Sequence, residues 1–324
     1  MSINEFDPIA MLVVKHARDA FGDAGVVAAQ WRALNFTAAP DVVKAVAQYD
    51  AFLALLNHSG TRVHLMPPGR DAELDSIYVR DASVVTPRGV VLCRMGKALR
   101  AREPEAQAAA FATWGIPVIG AIEPPGLLEG GDVAWLNDRT IAVGRGYRTN
   151  DAGIAQLRAF LDPQIELIIV PLPHWQGPTD VFHLMSVLSP VDHDLAVVYS
   201  PLIPVAFRER LLADDFRLVE VPDSEFASMG TNVLATAPRQ CVMLDGNPRT
   251  RAALEQAGAE VRVYDGSEIS VKGGGGPTCL TRPILRSVVY SSSSSAFEAT
   301  SSKSSPGVIG SSDGSSWRPP RRPV

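Results

Sequence analysis

LAVVYSPLIPVAFRERLLADDFRLVEVP, residues 195–222, decides the fold. A short β-branched run, LAVVY, leads into PVAFRERLLADD, whose apolar residues recur at helical spacing. A second apolar run, FRLVEVP, closes on Pro222. The stretch therefore reads strand, helix, strand. The same order recurs on both sides of it. VVLCR (90–94) leads through EPEAQAAAFATWG to IPVIG, and IAVG (141–144) leads through RTNDAGIAQLRAFLD to IELIIVP. CVMLDG (241–246) leads through NPRTRAALEQAG to AEVRVYD, and MLVVKH (11–16) leads through DVVKAVAQYDAFLALLNHSG to TRVHLMPP. The repeat is about fifty residues long, a period that signals a repeat architecture. Five copies predict an α/β fold of five strand–helix–strand repeats closed into a five-bladed propeller with pseudo-fivefold symmetry.

The segment after the second strand of each copy carries the chemistry. In chain order these segments are LDSIYVRDAS with Asp75 and Asp81, LLEGGDVAWL with Glu129 and Asp132, and GPTDVFHLMS with Asp180 and His183. MGTNVLAT with Asn232 and GGPTCLTRP with Cys279 complete the set. Each is a small or polar cluster entering an apolar strand. Fivefold symmetry would bring all five to one radius around the ring axis, so carboxylates, a histidine and a cysteine would meet there. A thiol becomes a nucleophile as thiolate, an imidazole beside it can move protons, and a carboxylate such as Glu129 can orient that imidazole. Crowded carboxylates repel unless a cation sits among them. The pattern therefore points to a cationic substrate, and the planar guanidinium suits carboxylate forks. Thiolate attack on its carbon would break a C–N bond through an S-linked intermediate. Cys93 and Cys241 lie inside apolar runs and read as buried small hydrophobes, and His64 and His174 read as structural.

Bulk properties set the limits. The 324 residues are 46% hydrophobic and 20% charged with net charge −5, which fits a globular protein and gives no reason to expect nucleic acid or an anionic membrane as partner. No apolar run reaches the roughly 18 residues of a membrane span, and the N-terminus shows no basic-then-apolar leader pattern. Three widely spaced cysteines fit neither a disulfide framework nor a zinc site, and suit a reducing cytoplasm. From about residue 290 the text turns to Ser, Gly and Pro without apolar periodicity. A catalytic domain over 1–289 and a disordered tail over 290–324 are expected.

Taken together, LDSIYVRD, LEGGD, GRGYRTN, DVFHLMSVLSP and GGGGPTCLTRP resemble the dimethylarginine dimethylaminohydrolases of the guanidine-modifying pentein superfamily. The resemblance runs from about residue 10 to 286. It implies the five-bladed α/β propeller, a cytosolic enzyme without metal or cofactor, and hydrolysis of Nω-methylated arginine to citrulline and a methylamine. Carried over, it makes Cys279 the nucleophile, His183 the acid/base, and Glu129 the acid that supports His183 and touches the guanidinium. Asp75 and Asp81 would hold the substrate's polar groups. Arg148, and Arg100 in MGKALRARE, would bind its carboxylate. Arg80 stands where the family pattern has an acidic residue, which would make the pocket less negative. The residues alone leave three alternatives: an arginine deiminase, an amidinotransferase, or a non-catalytic propeller. A small guanidine is the expected partner, and a homodimer is compatible with the reading. The run Gly273–Gly276 is expected to make room for a guanidinium beside Cys279.

Overall fold

In a computed structural model, the described residues are 2–56, 60–69, 73–180 and 182–287. The proposed tail over 290–324 lies outside them. Fifteen strands arise in chain order among the described residues: β1 Ile9–Val14, β2 Arg62–Leu65, β3 Ser83–Thr86, β4 Gly89–Leu92, β5 Val118–Ala121, β6 Val133–Asn137, β7 Thr140–Arg145, β8 Glu166–Pro171, β9 Leu188–Asp192, β10 Leu195–Val198, β11 Arg217–Glu220, β12 Val233–Ala237, β13 Gln240–Leu244, β14 Glu260–Tyr264 and β15 Thr281–Arg286. They form five three-stranded sheets, ordered β15-β1-β2, β3-β4-β5, β6-β7-β8, β9-β10-β11 and β12-β13-β14.

Every sheet is built the same way. Its middle strand pairs antiparallel with one neighbour, in four sheets the strand before it, and parallel with the strand after the helix. A parallel neighbour demands a crossover, and the helices Val42–Leu56, Glu103–Trp114, Asp151–Phe160, Val205–Ala213 and Pro248–Gln256 provide it. The middle strands are covered on both faces, which is why LAVV of β10 and CVML of β13 read as unbroken apolar runs. Local signals fix the helix ends. Asn150 caps its helix by accepting from the Gly153 amide, Pro104 and Pro248 enter first turns, and Gly115 ends a helix in the left-handed region at φ 69°.

The strand–helix–strand unit read from the sequence is thus two strands of a three-stranded sheet. The third is the apolar strand after each polar cluster, joined to the next middle strand by a two-residue turn: Pro87-Arg88, Asp138-Arg139, His193-Asp194 or Pro238-Arg239. The fifth sheet differs, because its leading strand is β15 from the far end of the chain, paired antiparallel with β1. N- and C-terminal segments are therefore joined by a strand ladder.

Successive polar clusters are also linked to one another. The Gly130 amide donates to the Asp81 carbonyl at 2.9 Å, and the Leu184 amide to Asp132 Oδ1 at 3.0 Å. Ser189 Oγ donates to the Thr231 carbonyl at 2.7 Å and accepts from the Val233 amide at 3.1 Å. The Thr278 amide donates to Asn232 Oδ1 at 3.0 Å, and the Arg80 amide to the Cys279 carbonyl at 3.2 Å. These bonds run from the first cluster to the fifth and return to the first. Because Ser189 is fully buried, Ser189→Ala leaves two buried backbone groups short of a partner. A loss of about 1–3 kcal/mol of stability is expected, read as a lower denaturant midpoint with an unchanged slope.

Candidate active site

Each cluster occupies the few residues before a leading strand, often as a single tight turn: Leu74–Ile77, Gly130–Asp132 and Leu184–Ser186. The first, third and fifth clusters converge on one cavity, lined by Asp75, Tyr78, Asp81, Lys97, Arg100, Arg148, His183, Gly273, Gly274, Gly275 and Cys279. Six of the seven residues singled out from the sequence line it. The seventh, Glu129, lies behind His183.

Glu129 is completely buried and all its acceptor capacity on this side is used. Its Oε1 accepts from the Gly96 amide at 2.8 Å and the Lys97 amide at 3.3 Å. Arg148 Nη1 bridges Oε1 and Oε2 at 3.1 and 3.0 Å, and His183 Nε2 meets Oε2 at 2.8 Å. Burial alone would raise its pKa, but the His183 hydrogen bond and the charges of His183 and Arg148 outweigh it. They hold the carboxyl well below its ordinary range. Glu129 thus holds the His183 ring from behind and is not among the residues that line the cavity.

His183 is buried beside three acids. Burial favours the neutral ring, yet Asp132, Asp81 and Glu129 overcome it and bring the pKa up to about 9. At neutral pH the ring is an imidazolium. Its Nδ1 sits 4.0 Å from Asp81 Oδ1, an oxygen that is buried and has no hydrogen-bond partner. Burial pushes Asp132 up to about 6, against the pull of the His183 charge. Asp81, Glu129 and His183 present their atoms within 4.8 Å of one another. A divalent cation there would face both the Arg148 guanidinium and the imidazolium, so the cluster is better suited to a flat, singly charged group.

Cys279 is half-buried, whereas Cys93 and Cys241 are buried. Burial and the Asp81 charge push the Cys279 thiol up, with Thr278 and Arg80 pulling the other way. Asn232, noted in the sequence but not assigned a role, proves to be the thiol's anchor. Its Oδ1 accepts from the Thr278 amide and hydroxyl at 3.0 and 2.9 Å, and its Nδ2 donates to Cys279 Sγ at 3.6 Å. Lys97 was missed altogether, because a lone lysine between two arginines in a loop carries no periodic signal. It donates to Asp75 Oδ2 at 2.5 Å.

Three expectations need correction. Arg80 does not reach the cavity. Its guanidinium is buried on Glu5 Oε1 at 2.6 Å, so the pocket keeps its acids and feels Arg80 only through space. Arg100 lines the cavity but is already engaged. Nη1 binds Asp81 Oδ2 at 2.6 Å, while Nε and Nη2 grip Glu103 at 2.8 Å each. A substrate carboxylate would have to share it with two acids. Finally, the tetraglycine does not simply clear space for a ligand. A Cβ at Gly273 would overlap the Tyr78 hydroxyl and the Phe36 ring, one at Gly275 the Tyr78 ring, and one at Gly276 would lie 2.5 Å from Asn232. These glycines let Tyr78 and Asn232 close in around the thiol, and only Gly274, at φ +77°, faces open space. The glycines of EGGD have a similar reason. A Cβ on Gly130 would meet Arg282 and two carbonyls, and one on Gly131 would lie 2.5 Å from His183 Nδ1.

The RTN motif serves the same centre. Arg148 holds the Glu129 carboxylate, Thr149 Oγ1 accepts from the Glu129 amide at 3.2 Å, and Asn150 Oδ1 fixes the Leu127 amide at 2.9 Å.

With this geometry in hand, comparison with known proteins is decisive. The model of the family described as N,N dimethylarginine dimethylhydrolase, eukaryotic, matches residues 34–286. The chain belongs to that family. It is similar to the N(G),N(G)-dimethylarginine dimethylaminohydrolase of Streptomyces coelicolor, 32% identical over 240 residues, covering 73% of this chain and 84% of that protein. Its fold is similar to that of the dimethylarginine dimethylaminohydrolase of Pseudomonas aeruginosa, solved as a cysteine-to-serine variant with citrulline. There the TM-score is 0.67 at 24% identity, covering 85% of this chain and 98% of that one. The arginine deiminase of Mycobacterium avium is 30% identical over 188 residues, covering 49% of this chain and 46% of that protein.

Two glycine and amide contacts are open to test. Gly131→Ala should displace His183 and lower kcat by roughly a hundredfold, as misplacement by an ångström does. Asn232→Ala should slow alkylation of Cys279 by iodoacetamide while leaving Cys93 and Cys241 unlabelled until the chain is unfolded, as mass mapping of the modified thiols would record.

Proposed function

We propose that the chain is a cysteine-dependent hydrolase of Nω-methylated arginine, yielding citrulline and a methylamine in the cytoplasm. Residues 1–289 form its catalytic five-bladed α/β propeller, and 290–324 an appended tail. The return of the inter-cluster hydrogen bonds to their starting segment, and the β15–β1 ladder, support the propeller reading. One observation carries the chemistry. A half-buried thiol and a charged imidazole share a cavity with an unpartnered carboxylate oxygen on Asp81.

The order of events is set by those groups. The guanidinium docks on Asp81, whose free oxygen takes one N–H, and its positive charge offsets the acid that raises the Cys279 pKa. The thiol can then ionise beside the substrate, its proton passing to solvent. The thiolate attacks the guanidinium carbon, and His183 donates its proton to the departing methylamine as the C–N bond breaks. An S-alkylthiouronium remains on Cys279. The neutral ring left behind takes a proton from water, hydroxide adds to the same carbon, and collapse expels the thiolate, which takes the hydroxyl proton and leaves the ureido group. Glu129 and Arg148 hold the ring in place throughout.

Cys279→Ser and His183→Gly are expected to abolish turnover with folding intact, and Cys93→Ser to change little. Undiminished activity of Cys279→Ser would overturn the mechanism. The pH profile has a definite sign. His183 must arrive protonated, so kcat/KM should fall as pH rises through about 9. The same proton stabilises the fold fully below the ordinary value of 6.5, and that contribution is lost by about pH 9. The arginine deiminase similarity favours one rival. Citrulline formation from asymmetric dimethylarginine and from arginine, each with and without glycine, separates hydrolysis of methylated arginine from deimination and from amidino transfer.

A further inference from the structure

Lys97 is the feature of the cavity that the proposed chemistry does not use. Its main chain is fixed at the Glu129 carboxylate by an amide contact of 3.3 Å. Its side chain ends in a small cage, with Nζ donating to Asp75 Oδ2 at 2.5 Å and to the Leu34 carbonyl at 2.6 Å. Both members of the ion pair are largely buried, with side-chain exposures of 12% for Lys97 and 5% for Asp75. A carboxylate and a main-chain carbonyl around a primary ammonium are what a binding position for a substrate ammonium would contain. Here the chain fills it from within. A second ammonium on Asp75 would meet the first at contact distance, and like charges so close are strongly unfavourable.

We propose that Lys97 is a specificity-determining residue: its ammonium occupies an ammonium-binding position formed by Asp75 and Leu34, which favours ω-guanidino acids lacking an α-amine over α-amino acids. The inference rests on the reading of the chain as a guanidine hydrolase and ranks methylarginine below its des-amino analogue as a substrate. An amino acid such as methylarginine must displace the lysine and leave it without a buried counter-ion. The des-amino analogue, with the same guanidine and the same carboxylate, leaves the ion pair untouched. Two of the three ammonium protons are committed, so the third remains free to meet the analogue's carboxylate. Arg100 and Arg148 are poorer partners for that carboxylate, since each already holds an acid.

The test uses the full chain and two substrates, Nω-methylarginine and its des-amino analogue, scored by formation of the ureido product. For the wild type, KM is expected to be lower for the analogue by about a hundredfold or more, the scale set by breaking a buried charge pair. Lys97→Met should reverse that order by lowering KM for methylarginine, with kcat for each substrate changed by less than about threefold, because no reacting atom is touched. Lys97→Arg keeps the cation and should keep the wild-type order, which separates charge from a defect in folding. An unchanged KM ratio in Lys97→Met, or an equal loss on both substrates, would overturn the proposal. Turnover of neither substrate by the wild type would instead overturn the guanidine-hydrolase reading beneath it.

Discussion

The structure depends on a run of hydrogen bonds that passes from one polar cluster to the next and comes back to its origin. Each bond but the closing one between Arg80 and Cys279 joins segments about fifty residues apart in the chain, and most involve a backbone amide or carbonyl at the mouth of a strand. Buried backbone groups need partners, so these segments cannot drift independently. The consequence is a fixed spacing for the side chains they carry. The thiol sits at a set place relative to the imidazole because their supporting turns are tied through Asn232, Thr231, Ser189 and Leu184, not because the two residues touch.

A second constraint is electrostatic. Glu5, Asp75, Asp81, Glu103, Glu129 and Asp132 are all buried or nearly so, alongside Arg80, Lys97, Arg100, Arg148, Arg282 and Arg286. Isolated, any of these charges would be very costly to bury. Layered together they largely compensate, and the residue of positive charge falls on His183. The acids that raise the histidine's pKa also discourage a resting thiolate. The cavity therefore holds a charged imidazole together with a thiol whose ionisation is discouraged.

Much of this was legible in the sequence. Apolar runs with helices between them announce the repeat, and the equivalence of the polar clusters brings Cys279, His183, Asp75 and Asp81 to one cavity. The third strand of each sheet was harder to read. Pairs such as Asp138-Arg139 and Pro238-Arg239 lack the glycine that marks most tight hairpins, and the strand after each cluster looks like the end of a motif. The partners of charged residues were not legible at all. Whether Arg80 faces the cavity or Glu5, and whether Arg100 is free or gripped by Glu103, is decided by contacts between segments distant in sequence. Glycines sit between these extremes. That Gly273–Gly276 permits a close approach was readable, but that Tyr78 and Asn232 are what approach was not.

The pairing of β15 with β1 gives the molecule a particular relation to its own synthesis. The first strand emerges from the ribosome early, while the strand that completes its sheet, and the cysteine immediately before it, come about 270 residues later, at a time when domains elsewhere in a proteome have often already folded. Until then the polar clusters exist without Cys279 and without the ladder between β15 and β1. The acids, the histidine and the thiol thus come to share one cavity only once the segment that carries Cys279 and β15 has been made.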